Sequence, residues 1–164
     1  VKPKSTGSGT HKKAAVILFE GLPLHAYLNP AALGRADSVE LLTSDGELIT
    51  FDLSKVKAIH FVREFTNGHL SDRKTFLSRP KLQGLWVRCL FRDRDSLEGI
   101  VPNNLAEIAE QGLRLTPPDL HGNTLWIFVP RAAVTEVIVL GVVGVPRRRG
   151  APPAAESQSK LFDE

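Results

Sequence analysis

Methionine is absent from the 164 residues, and cysteine occurs once, at Cys89. A lone cysteine cannot close an intramolecular disulfide and leaves no cysteine cluster for a structural zinc, so a reducing, cytoplasmic setting is expected. Long apolar runs are missing too: none reaches the roughly 18–20 residues a membrane helix needs. The segment VKPKSTGSGTHKK lacks the apolar stretch and cleavage site of a signal peptide. Histidine is sparse and scattered (His11, His25, His60, His69, His121), with no pair at helical spacing to hold a metal. No G-x-S-x-G elbow presents a nucleophile, and GVVG at 141–144 lacks the lysine of a phosphate loop. The expectation is a chain without catalytic residues, metal or cofactor.

The net charge of +3 is unevenly distributed. Of the 21 bases and 18 acids, eight bases and three acids lie in residues 1–13 and 145–164. That leaves 13 bases facing 15 acids between them, so the body is slightly acidic and the positive charge sits in the ends. Residues 1–13 and 144–164 are rich in Gly, Ser, Lys or in Pro, Ala, Arg, and both are expected to be disordered.

Between them, short apolar runs alternate with turn residues. Asp45-Gly46 is the strongest hairpin signal, because both residues tolerate positive φ. LITFDLSKVKAIHFV at 48–62 and LWIFVPRAAVTEVIVL at 125–140 share a plan of strand, very short turn, strand. Strands expected at 14–19, 22–28, 38–44, 48–52 and 56–62 are matched in order by 85–92, 96–102, 112–116, 125–129 and 134–140. Five short strands per half predict an all-β fold with short helices: two tandem small antiparallel barrels, at 14–65 and 85–143. A connector at 66–84 joins them, with a short helix over RKTFLSR capped by Ser71-Asp72 and stopped by Pro80.

FLSRPKLQGLWVRCLFRDRDSLEGIV and IFVPRAAVTEVIV resemble segments of the Sm-like barrel, the fold of Sm proteins and of the bacterial RNA chaperone Hfq. Gly99 stands at that family's glycine, which permits the strand bend that closes such barrels. The likeness spans residues 72–142, reaches 14–62 by repetition, and extends to SH3-like barrels. It implies RNA binding and ring formation, and hence a candidate homo-oligomer. At the turn where Hfq-type proteins place Lys-His to grip RNA, this chain has Pro130 and Arg131. The FVREF, FLSRP and FVPRAAV segments also resemble an uncharacterised bacterial family.

Three constellations bear on partners. Gln158, Leu161 and Phe162 resemble the Q-x-x-L-F peptide by which bacterial proteins dock on the DNA sliding clamp: an amide bonds pocket backbone while Leu and Phe fill an apolar cleft. A second, basic group comprises Arg73, Lys74, Arg79, Trp86, Arg88 and Arg92. It offers candidate phosphate contacts and a stacking surface for RNA or single-stranded DNA, against the simpler reading of Trp86 filling a seam while the arginines pair locally. The third, Arg88 and Arg92 with Ser96 and Gly99, resembles the PilZ signature but has the wrong spacing and Arg94 in place of an acid. The expected function is a non-enzymatic adaptor, clamp-associated through its last residues. A nucleic-acid-binding module and a protein–protein scaffold are the alternatives.

Overall fold

The computed structural model describes residues 10–66, 73–104 and 111–144. Ten strands carry the fold: β1 (Lys12–Leu18), β2 (Leu24–Leu28), β3 (Ser38–Leu42), β4 (Leu48–Asp52), β5 (Val56–Val62), β6 (Gly84–Phe91), β7 (Ser96–Val101), β8 (Gly112–Leu115), β9 (Thr124–Pro130) and β10 (Val134–Val143). All pairings are antiparallel. One sheet runs β4-β3-β2-β1-β5-β9-β8 and the other β10-β6-β7. The Asp45-Gly46 hairpin forms as expected, with Gly46 at φ +85 and its N–H donating to the Thr43 carbonyl.

The two halves repeat in register as well as in order. Ile59 of β5 faces Val16 of β1, as Val137 of β10 faces Cys89 of β6. Both pairs of strands share an equivalent bulge, with Lys57 in β5 and Thr135 in β10 as the extra residue, and β10 has a second shift between Val139 and Gly141. The Ala14–Ala26 pair of β1 and β2 corresponds to Val87–Gly99 of β6 and β7. Ser38–Asp52 of β3 and β4 corresponds to Gly112–Pro130 of β8 and β9. Even the single contact of β2 with β3, Tyr27–Leu42, has its counterpart in the reciprocal Ile100–Thr116 bridge that joins the two sheets through β7 and β8. Each half is therefore a five-stranded meander whose fifth strand returns beside its first. Neither sheet closes on itself.

Several expectations are corrected. β1 begins at Lys12, so two of the lysines expected in a disordered end are strand residues. Among the described residues of the connector no helix forms: 73–83 is irregular chain. Pro80 is buried there, and the Lys74 carbonyl and Phe76 N–H are tied to Glu98 instead of to a helical ladder. Among the described residues, the helical segments are one-turn 3-10 stretches at Pro30–Ala32, Leu53–Lys55 and Arg131–Ala133. Ser71 and Asp72 lie outside the described residues, as do 1–9 and 145–164.

Two cores form, and each borrows from the other half. Val16, Leu28, Leu41, Val56, Ile59 and Phe61 gather around Phe128 of β9. Val87, Cys89, Phe91, Leu115, Ile127 and Val129 gather around Ala58 of β5. The exchange follows from the β5–β9 pairing, which sets Ile59 opposite Phe128, His60 opposite Ile127 and Phe61 opposite Trp126. Successive strand residues point to opposite faces, so one seam feeds both cores.

Candidate functional site

Glu98 organises much of the basic group picked out in the sequence. It is 4 % exposed on β7, directly across from Arg88 on β6. Arg88 Nη2 donates to its Oε1 at 2.9 Å, while Trp86 Nε1 and the Phe76 N–H each donate to Oε2 at 3.1 Å. Burial pushes the carboxyl toward its neutral form. The hydrogen bonds from Arg88, Phe76 and Trp86 outweigh burial and hold the pKa below its usual value. Phe76 also meets the Trp86 ring edge-on, with centroids 6.1 Å apart.

The remaining basic residues are engaged elsewhere. Lys74 Nζ lies 2.7 Å from Asp95, which also receives Lys57 at 2.9 Å, and Lys57 reaches Asp93 at 2.7 Å. The bulge at Lys57 aims this side chain across the seam at the β6–β7 turn. Burial raises the Asp95 pKa, but hydrogen bonds from Lys74, Lys57 and the Ser96 N–H bring it down to about 2. Arg73 approaches Asp119 at 3.7 Å, and Arg79 donates to the Val142 carbonyl at 2.8 Å. Arg92 donates to the Ser54 carbonyl at 2.7 Å and covers the Phe19 ring at 3.9 Å. The structure thus brings Trp86 and Arg88 together on one carboxylate and distributes the other four among separate local contacts. This is a framework of internal bonds, not an array of free cations.

An unforeseen surface stands on the other side of the seam. An open concavity of about 560 Å³ is lined by residues that include Lys12, Tyr27, Arg63, Arg114 and Trp126. Trp126 lies between Phe61, stacked at 3.9 Å with 12° between ring planes, and the Arg114 guanidinium 4.1 Å above its other side. Next to it Phe65 stacks on His25 at 5.1 Å and meets Tyr27 edge-on at 5.4 Å. Lys13 bonds Glu64 at 2.8 Å. The segment is clasped to the second half by reciprocal bonds: Glu64 N–H to Asn123 Oδ1 at 3.0 Å, and Asn123 Nδ2 to the Glu64 carbonyl at 2.8 Å. Among the described residues Lys12, Arg63 and Arg114 form no ion pair. All three are exposed, and Arg63 Nε also donates to the Gly122 carbonyl at 3.4 Å; what distinguishes them from other unpaired surface bases is that they line one concavity with Trp126 and Tyr27.

The alternation of β9 gave Trp126 a face, but not a neighbour. Its partners come from β5 and β8, and only the crossover register supplies them. Elsewhere, Cys89 is fully buried, and burial pushes its thiol up to about 11, which removes it as a nucleophile at neutral pH. Among the described residues no three His, Cys, Asp or Glu side chains converge in the manner of a metal site. No described helix is long and apolar enough to cross a membrane. Gln158, Leu161 and Phe162 lie outside the described residues.

The model of a family of unknown function (DUF6982) matches residues 10–141. The chain belongs to this family. The match covers all ten strands of the DUF6982 fold except the last two residues of β10. No curated protein and no solved structure matches the chain.

Proposed function

We propose that this DUF6982 protein is a non-enzymatic binding module, two tandem barrels of the Sm-like or SH3-like kind, that takes single-stranded nucleic acid on the Trp126 face. The observation that carries the reading is the concavity itself, where Lys12, Arg63 and Arg114 flank aromatic rings and no ion pair neutralises them. Cations along a groove with aromatic side chains are the usual means of holding a strand without reading its sequence. The barrel assignment rests on the strand order in each half, with the fifth strand beside the first. The reading moves the contact surface off Arg73, Lys74, Trp86 and Arg88, which are held by carboxylates, and off Arg79 and Arg92, whose bonds to the Val142 and Ser54 carbonyls at 2.7–2.8 Å are shorter than the 3.4 Å contact of Arg63 with the Gly122 carbonyl.

Fluorescence anisotropy with labelled oligonucleotides tests it. Full-length protein should bind with a log–log salt slope of about −2, from three phosphate contacts at roughly 0.7 each. Substituting Lys12→Ala, Arg63→Ala and Arg114→Ala together should weaken binding more than tenfold and flatten the slope. Arg73→Ala with Lys74→Ala should leave both nearly unchanged. Equal binding by the native protein and the triple variant would end the proposal.

A second reading is favoured by the spacing of Gln158, Leu161 and Phe162: docking on the DNA sliding clamp, with the folded body as cargo. A labelled peptide of residues 151–164 should bind clamp at micromolar concentration and lose binding with Leu161→Ala and Phe162→Ala. A native peptide that fails to bind removes this reading. Failure of both tests would favour a protein–protein scaffold.

A further inference from the structure

The seam between the halves carries a second recess, on the face opposite Trp126. It has a volume of about 270 Å³ and takes residues from both halves of the chain. Alternation explains its place. On β5 and β9, Ala58, His60 and Ile127 point away from the side of Phe61 and Trp126, toward the second core. Ala58 and Ile127 form an apolar floor with Phe91 and Leu97, and all four are buried members of that core. Ile17 and Pro23 of the first half and Pro117 of the second add to the walls. A packing void among such residues would be enclosed. This recess instead reaches the surface beside exposed Arg73 and Lys74.

The rim is one-sided in what it can still bond. Both oxygens of Asp93 already accept, from Lys57 and from the Asp95 N–H. Both oxygens of Asp95 accept as well, one from Lys57 and Lys74 and the other from the Ser96 N–H. The cations keep donors in reserve. An ammonium has three, and of these Lys57 uses two and Lys74 one on the carboxylates. Arg73 stands 3.7 Å from Asp119, too far for a hydrogen bond, and its side chain has no other partner among the described residues. What remains at the mouth is positive charge and N–H groups above an apolar floor.

We propose that this recess binds a small organic carboxylate, its apolar body on Ala58, Phe91, Leu97 and Ile127 and its charge between Arg73 and Lys74. The planar fork of an arginine matches a carboxylate in geometry as well as in sign. The volume sets the size. At roughly 30 Å³ per atom, the share of one water in its liquid, the recess holds about nine non-hydrogen atoms. That is the scale of a single ring or a short branched chain with its acid group, below the drug-sized range that begins near about 300 Å³. The site shares no residue with the Trp126 concavity, so it stands apart from the nucleic-acid reading. Because both halves supply its walls, an occupant also fastens the seam, and binding raises the melting temperature by mass action.

Phenylacetate is a probe of this size and charge, and phenylacetamide is its neutral counterpart of the same shape. In amide NMR spectra of the full chain, phenylacetate added to about 10 mM should shift Ala58, Leu97 and Ile127 saturably, with a Kd at or below about 1 mM. Phenylacetamide should bind at least tenfold more weakly. Arg73→Ala with Lys74→Ala should weaken phenylacetate by a similar factor, while Lys12→Ala with Arg114→Ala should leave it unchanged. The comparison of acid with amide uses the native chain, so it decides the matter even where the double variant misfolds. Four results would each overturn the proposal: no saturable shift, shifts confined to other residues, equal binding of acid and amide, or unchanged binding by a folded Arg73→Ala, Lys74→Ala variant.

Discussion

At the scale of single residues, Glu98 and Asp95 show why a basic surface read from sequence became a framework. Glu98 is buried with three donors, so removing it strands the Trp86 and Phe76 N–H groups and unpairs Arg88. Chemical denaturation of Glu98→Ala should show a loss of about 3 kcal/mol, with Glu98→Gln losing less. Asp95 acts through pH. Its carboxyl falls from an ordinary 3.8 to about 2 in the folded protein. Such a group contributes its full stabilisation above about pH 4 and loses it as the pH drops toward 2. Asp95→Asn should therefore flatten the acid limb of the stability curve between those values and lower stability at neutral pH by about 1 kcal/mol, allowing for solvent screening. Thermal melts at stepped pH would read both effects. The arginines, lysines and tryptophan were visible in the sequence as a run of positive charge. Their partners were not, because Glu98 is opposite Arg88 only once β6 and β7 are in register, and Lys57 reaches Asp95 only across the seam.

Among the elements, the strands were largely legible. Alternation of apolar residues and turn signals such as Asp45-Gly46 placed all ten to within a few residues, since local sterics and side-chain period decide such features. The connector was misread. Ser71-Asp72 and Pro80 look like helix punctuation, but Phe76 donates its N–H to Glu98 and the segment is drawn along β7. Gly99 also acquires a different reason for being glycine. Its backbone needs no positive φ, and a Cβ there would stand 2.9 Å from Leu115 Cβ and 3.1 Å from the Thr116 carbonyl. Close approach of β8 is what demands it. Gly99→Val should cost about 1–3 kcal/mol by overpacking and should speed hydrogen exchange at Ile100 and Thr116, whose N–H groups form the bridge. Ala26, its counterpart in the first half, should accept Gly with a smaller change.

On the scale of the whole molecule, the repeat was legible in the sequence but the way its halves meet was not. Nothing local in VKAIHFV or LWIFVP states that one pairs with the other, more than sixty residues away. That pairing exchanges Phe128 and Ala58 between the cores. The halves are consequently not two beads on a string. Cleaving the backbone between residues 66 and 73 should leave a nicked complex that elutes as one species, because the seam needs no covalent link to persist. Expressed singly, residues 1–66 would bare Ile59 and Phe61, and residues 73–164 would bare Trp126 and Phe128. Each piece alone should aggregate, and the two produced together should reconstitute the fold, which makes this chain a natural candidate for a split reporter.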